Sequence, residues 1–528
     1  MKKRQFIFIL MAMLCLISCS EKIDPTPEPE PQPELDYGLL NFTALSEGSS
    51  FGIEYLSYAS WTNYIINEIE EELTPITDNS FSVNVEYSFD CDQWTALKNG
   101  DVIALPKDTT VFLRGNNPEM FSYYCGSSYE LRFNYAHFTL EGRISAGGSV
   151  MSLVDKTGEA KEVPLPTDSS GYFYGLFSDN VALVKAPDLT ATTLSDDCYV
   201  RMFADCENLE EAGEIAAETP AAEAFYEMFK GCTSLKRAPQ VNVKTAPQSC
   251  FVGMFSGCTS MTEGPSCIKA DTLAACSCYE MFLNCSSLTK APEILATVYE
   301  ASCCYCMFDG CTQLGEAPAI KAETLDDSSC SLMFYNCTSL QVPPEMNVKY
   351  AGQYSCSGMF MGCSSLQTSP SLGAKELGIS CYFGMFKDCT SLKSAPELPA
   401  TEMAYSCYCD MFDGCTALEK VPSLPATTLE DGCYMMMFTG CSNLEGDVYL
   451  PAAELKWNCY RQMFSDCPKI SKVTALFTTD INTIEDDVYY YTDNWLSGVS
   501  PEGTFVRNAD ATWQLDGPSG IPEGWTVQ

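Results

Sequence analysis

Thirty cysteines, seventy carboxylates and one histidine are the residues of this 528-residue sequence whose chemistry could be put to use. With His137 as the lone imidazole, histidine-dependent triads and multi-histidine metal sites are nearly impossible, and a structural histidine is expected. Seventy carboxylates guarantee that some pair lies close together, so a glycosidase-like pair has no identifying signature here. The sequence contains no glycine-rich phosphate loop, EF-hand loop or serine elbow. A Cys-x-x-Cys stands at Cys303-Cys304-Tyr305-Cys306, inside a repeated unit and without a second pair at zinc-finger spacing. No catalytic residue, metal site or cofactor is assigned, and an enzyme is not expected.

The cysteines are periodic. Eleven fall in one column from Cys206 to Cys467, each four residues after the methionine of a Met-Phe pair, an odd number that cannot pair fully within itself. Within one unit, Cys433 and Cys441 would be held roughly 12 Å apart by an intervening helix, beyond the ~7 Å that a disulfide spans between Cα atoms. A ladder of buried thiols acting as small apolar groups is expected, although exported chains ordinarily favour disulfides.

These residues are positioned by an internal repeat. Met-Phe pairs begin at 202, 228, 254, 281, 307, 333, 359, 385, 411, 437 and 463, a 26-residue period with one step of 27, and a degenerate copy stands at Leu176-Phe177. A fixed period of this size is the signature of a solenoid, whose units bury their apolar faces against one another. With Met as position 0, apolar or thiol residues at −4, −3, 0 and +1, as in Cys433, Tyr434, Met437 and Phe438, predict one face of a short helix. Asp196-Asp197, Asp326-Asp327 and Glu430-Asp431 precede it, where acids suit a helix N-terminus. Position +3 is only Gly, Asn or Asp, which predicts a left-handed cap after about two turns. Leu418, Val421 and Leu424, at +7, +10 and +13, mark an extended segment, and the proline at +11 in most units predicts short or interrupted strands.

The repeated Met-Phe-x-Gly-Cys-(Ser/Thr)-Ser-Leu, seen in Met411 to Leu418, resembles the BspA-like leucine-rich-repeat family of bacterial surface proteins over roughly Leu176 to Leu476. Family repeats are usually a few residues shorter and lack the regular proline. The resemblance implies a leucine-rich-repeat solenoid and adhesion to host extracellular proteins or other cells; the identity of a ligand does not carry over. The expected fold is an α/β solenoid of about twelve turns, each a short strand plus a short helix, preceded by a small all-β sandwich-like domain.

The remaining chain divides as follows. Residues 1–18 read as a signal peptide, and Leu16-Ile17-Ser18-Cys19 resembles a bacterial lipobox, which implies lipid attachment at Cys19. Ser20 to Asp24 is similar to the acidic surface-export tag of Bacteroidota lipoproteins, which implies display on the outer-membrane surface. Residues 19–37 form a Pro/Glu-rich linker, extended at about 3.1 Å per residue. Residues 38–151, with period-two runs such as Ser82 to Phe89, are the expected β domain; within it 64–74 read as a helix or an edge insertion, and Cys91 could pair with Cys125. Residues 152–477 are the solenoid and 478–528, with Trp495, Trp513 and Trp525, a cap.

A net charge of −40 and a pI near 4.2 exclude nucleic acid as a partner. The membrane is reached through the lipid anchor only. The partner expected is a host or bacterial surface macromolecule, protein in the first reading and glycan in the second. In the solenoid, position +9 alternates in sign through Lys185, Glu211, Arg237, Glu263, Lys290 and Glu316 and then lapses at Val342, Thr368 and Ser394, which are the candidate binding strip. In the β domain, Trp61, Trp94, Tyr123 and Tyr124 are the candidate glycan readers, against core or edge packing as the plainer role.

Overall fold

The computed structural model describes residues 38–61, 73–75, 81–119, 121–127, 130–164, 171–482, 484–485 and 488–528. Cys19, the linker and residues 62–72 lie outside the described residues. So do the side chains of Trp61, Tyr123, Tyr124 and Cys125.

Residues 38–151 fold because their apolar residues alternate. In β1 (Leu40–Ala44) the inward residues are Leu40, Phe42 and Ala44, the period-two signature of a half-buried strand. The chain continues through β2 (Ser49–Trp61), β3 (Leu73–Pro75), β4 (Val85–Ser88), β5 (Thr95–Ala96), β6 (Val102–Leu105), β7 (Thr110–Gly115), β8 (Ser122–Ser127), β9 (Glu130–Glu141) and β10 (Ile144–Gly147). These make two sheets, ordered β10-β1-β7-β4-β5 and β3-β2-β9-β8, with β6 on β2. Their inner faces meet at Phe42, whose ring lies edge-on to Phe51 at 5.9 Å and to Phe138 at 5.3 Å.

The sandwich runs into the solenoid without a gap. β10 pairs in parallel with β11 (Leu183–Lys185), Phe138 N–H donates to Leu176 C=O at 2.9 Å, and Phe138 stacks on Phe177 at 5.4 Å. From Phe177 the rings of position +1 stack rung on rung to Phe464, with centroids 5.2–5.7 Å apart. The Met beneath each pair and the +7 residue, Leu418 for instance, are fully buried.

The short helix expected in each unit is absent. Among the described residues the only α-helix is Ser152–Asp155. The solenoid is a β-solenoid with about ten complete turns, not the α/β solenoid of about twelve, because the first copy is merged with the sandwich and the last leads into the C-terminal sheet.

From −5 to +4 the backbone is a ladder of tight turns. In the rung of Met307, residues Ser302, Cys304, Cys306, Phe308 and Gly310 donate their N–H groups to the next rung, Phe308 to Met333 C=O at 2.9 Å. The residues between them donate three back within their own rung, Cys311 to Phe308 C=O at 3.1 Å. An α-helix is excluded here by size. It is about 10 Å across, whereas the rungs stack at 5.2–5.7 Å. The spacing −4, −3, 0, +1 fits a four-residue turn repeat as well as a helix, which is why sequence periodicity could not tell them apart.

This ladder needs a positive φ at every fourth residue, −5, −1 and +3. All eleven +3 residues adopt it, from Asp205 (60°) to Asp466 (57°). The expected left-handed conformation is therefore there, as one of three such positions and not as a helix cap. At −1 it is imposed even on Arg201, Leu332, Met436 and Gln462. Such residues cost about 1–2 kcal/mol each, offset by the two sets of hydrogen bonds that the conformation aligns.

The choice of residue at +3 depends on the rung before. A Cβ on Gly310 would fall on Asn284 Oδ1, and one on Gly362 or Gly414 on Asn336 Oδ1 or Asp388 Oδ1. Gly257, which follows Gly231, would meet nothing nearer than 3.6 Å. Accordingly, Asp205, Asn284, Asn336 and Asp388 are each followed one rung later by glycine, whereas Asp179 of the first copy, also at positive φ, is followed by Asp205.

The rest of each turn is extended but broken. Two-residue strands such as Thr324–Leu325 and Tyr350–Ala351 pair in parallel, in register, and position +9 makes isolated bridges such as Glu263↔Lys290. The proline at +11 supplies no N–H between them. At the C-terminal end Val448–Leu450, Lys472–Ala475, Gly503–Arg507 and Trp525–Val527 form a parallel sheet. Trp495 stacks on Tyr460 at 6.0 Å and Trp513 on Phe477 at 5.2 Å.

Candidate functional site

The cysteine column is built into the core. Each of its eleven thiols points at the carbonyl of the Phe one rung earlier, as Cys311 Sγ to Phe282 O at 3.2 Å and Cys415 Sγ to Phe386 O at 3.0 Å. That carbonyl also accepts the N–H of its own rung's cysteine, Cys285 for Phe282 at 3.1 Å, so the thiol fills its second lone pair. The array cysteines from Cys198 to Cys467 are unbridged. Burial pushes Cys311 and Cys415 well above the usual thiol range, which leaves them unreactive. Cys303 and Cys306 of the Cys-x-x-Cys are also buried, Cys303 Sγ lying 3.9 Å from Cys304 Sγ.

His137 is a junction residue. Its Nδ1 lies 3.1 Å from Gly175 O of the first repeat copy, and burial pushes its pKa down. Trp94 has one ring face covered by the Arg114 guanidinium, 3.8 Å from the ring centre, and its Nε1–H donates to Cys91 O at 3.0 Å.

Val342, Thr368 and Ser394 lie in one exposed column, joined to their neighbours by the bridges Glu316↔Val342 and Thr368↔Ser394. Lower in the same column Lys185 approaches Glu211 at 3.9 Å and Arg237 approaches Glu263 at 3.8 Å. These exposed pairs contribute a few tenths to about 1 kcal/mol to register.

Val342 is 49% exposed but stands alone in that column, whereas several large apolar or aromatic side chains gather in another strip. On the edge formed by −6 and −5, Tyr354, Ile379, Tyr405 and Trp457 are 41, 42, 47 and 42% exposed. Tyr354 N–H donates to Ile379 C=O at 2.8 Å and Ser380 N–H to Tyr405 C=O at 2.9 Å, so the first three sit on successive rungs. Asp431 takes the next, and its Oδ1 accepts the N–H of Trp457 at 3.0 Å. In the earlier rungs −6 is Asp196, Ala222, Gln248, Ala275, Ala301, Asp327 and Gln353. Reading this column down the repeats would have found the change.

A cleft of about 790 Å³ opens where the sandwich meets the first rungs. Tyr58 and Tyr135 of β2 and β9 stack at 6.1 Å, and Tyr174 stands edge-on to Tyr135 at 5.2 Å. Tyr226, Asp179, Asp197, Glu223, Glu227 and Arg201 complete the wall. Arg201 binds Glu227 at 2.6 Å and Asp205 at 3.4 Å, and Lys230 binds Glu227 at 2.5 Å.

Burial, and then the neighbouring Asp197 and Asp196, hold the Glu223 carboxyl up to about 7. A raised acid contributes stability below its ordinary value that is lost as pH rises to about 7. Glu223→Gln is therefore expected to raise Tm in melts at pH 8 and to leave it unchanged at pH 4.5. The side chain is half exposed, so screening limits the gain to under about 1 kcal/mol. A lower Tm at pH 8 would contradict the assignment.

No family model matches the chain, and no curated protein does. Bacterial leucine-rich repeat proteins are among the solved structures that resemble it. A leucine-rich repeat protein from Bacteroides ovatus aligns at TM-score 0.40 and 16% identity, over 77% of this chain and 97% of the other. A leucine rich cell surface protein from Faecalibacterium prausnitzii aligns at 0.28 and 17%, over 61% and 92%. A leucine-rich repeat protein from Eubacterium ventriosum aligns at 0.31 and 14%, over 61% and 88%. Among the described residues no helix is long and apolar enough to cross a membrane.

Proposed function

We propose that the chain is a non-catalytic lipoprotein, displayed on the cell surface, that binds a macromolecule, a protein of a host or of another bacterial cell, along the later rungs of its solenoid. The observation that carries this reading is the line Tyr354, Ile379, Tyr405 and Trp457, apolar side chains left in solvent on a chain of net charge −40. Aromatic residues exposed in a row are what the buried centre of an interface is made from. The lipobox at Cys19 and the acidic spacer support display and adhesion.

The test is adhesion of cells displaying the full chain to immobilised extracellular-matrix proteins and to other bacteria. Tyr405→Asp with Trp457→Asp is expected to lower binding at least tenfold, the loss of one interfacial hot spot being worth about 2 kcal/mol or more. Thr368→Asp, in the +9 column, is expected to change it little. Unchanged adhesion in the double variant would overturn the site. Survival of the intact protein under whole-cell protease treatment that cuts other surface proteins would overturn the display.

Glycan binding by the β domain is the second reading. It is less well supported at Trp94, where Arg114 occupies a ring face. A glycan array probed with the full chain tests it.

A further inference from the structure

We propose that the cleft between the sandwich and the first solenoid rungs binds an organic cation, an alkylammonium or guanidinium group such as the head of a lysine or arginine side chain. This site is independent of the exposed strip on the later rungs.

Three observations lead there. The first is the wall. Tyr58, Tyr135, Tyr174 and Tyr226 converge on one open volume from segments far apart in the chain, and the faces of aromatic rings attract cations. The second is charge. The cleft carries four carboxylates against one guanidinium, and Arg201 is already engaged by Glu227 and Asp205. Asp179, Asp197 and Glu223 have no Lys or Arg within ion-pair distance among the described residues.

The third is position. Asp197 and Glu223 occupy −5 on consecutive rungs, both at positive φ, 54° and 55°. The stacking that aligns the rungs therefore sets one acid over the other. In the other nine rungs −5 is Ser, Cys, Tyr, Gly or Asn and never charged. The like-charged pair thus occurs only where the tyrosine wall faces it. At −5 the other rungs avoid that repulsion, and an entering cation would relieve it here. A neutral sugar could use the rings but would leave the acids as they are.

The experiment is calorimetric titration of the full chain at about 0.15 M salt, where nonspecific attraction to an acidic surface is screened. The probes are N-acetyl-lysinamide, N-acetyl-argininamide, a Lys-Lys dipeptide amide and spermidine, with N-acetyl-glutaminamide and cellohexaose as neutral controls. Saturable binding of the cationic probes, at least tenfold tighter than the glutamine control, is expected. Tyr174→Ala and the pair Asp197→Asn, Glu223→Gln should each lower it at least tenfold while circular dichroism stays unchanged. The ratio of peptide to spermidine affinity separates a protein source from a free amine, and either result supports the cation site.

Cationic probes that bind no tighter than the glutamine control would overturn the proposal. So would affinity that survives Asp197→Asn with Glu223→Gln, or cellohexaose binding lost in Tyr174→Ala and kept in the acid variants. Tyr405→Asp with Trp457→Asp must leave amine binding intact, so failure of the adhesion site and failure of the cleft read out separately.

Discussion

Phe308→Ala is expected to destabilise the solenoid by about 3–5 kcal/mol, the cost of emptying a core phenylalanine site. Phe308 is fully buried and lies between Phe282 at 5.3 Å and Phe334 at 5.5 Å, both within 2° of parallel. Removing the ring takes away both stacking partners at once. A solenoid is stabilised by each unit and its contacts with neighbours, so damage in mid-array should spread unevenly. Urea unfolding should change from one transition to two, and hydrogen exchange should rise first in the rungs of Met281 and Met333. Phe308→Leu keeps most of the volume and should cost less than about 1.5 kcal/mol. A cost below about 1 kcal/mol for the alanine variant would mean that the ring column does not hold the rungs together.

Gly310→Ala is the second large effect. A Cβ at φ 72° already costs about 1 kcal/mol, and here it also falls on Asn284 Oδ1. Gly257→Ala, at φ 75°, has the same backbone cost but no such contact. Denaturant unfolding is expected to give Gly310→Ala a penalty larger by about 1–2 kcal/mol. In the Asn284→Gly background the excess should vanish, and the double-mutant cycle should return a coupling of that size. Equal penalties at the two glycines, with no coupling to Asn284, would show that the side chain of one rung does not restrict the next.

Much of this was open to reading in the sequence because a repeat is sampled many times. The Met-Phe and cysteine columns, the left-handed +3 position and the proline that interrupts most units all follow from residue type at a fixed period. The helix did not, because apolar spacing reports which residues face inward and not where their N–H groups go. Cys311 N–H and Phe308 N–H differ by three residues, yet one bonds within its rung and the other to the next. The +9 strip of Val342, Thr368 and Ser394 was legible as a column, whereas the apolar line from Tyr354 to Trp457, visible as a change of residue type at −6, became a surface only with the exposure of −6 and −5, positions that resembled a helix entry. The cleft had no local signature: Tyr58 and Tyr135 meet Tyr174 and Tyr226 only after the sandwich has docked on the first rung.

The pairing of Asn284 with Gly310, Asn336 with Gly362 and Asp388 with Gly414 also limits how such a chain can lengthen. Copying a single Asn rung in tandem would set the Oδ1 of one Asn where the Cβ of the next must go, a contact that a glycine in that rung avoids. Copying two rungs together, 52 residues from Asn284 to Asn336, preserves the alternation at both junctions. A glycine rung can also be copied alone, since Gly257 follows Gly231 without a clash, so what the stacking asks of a lengthened array is a glycine rung after each such Asn or Asp.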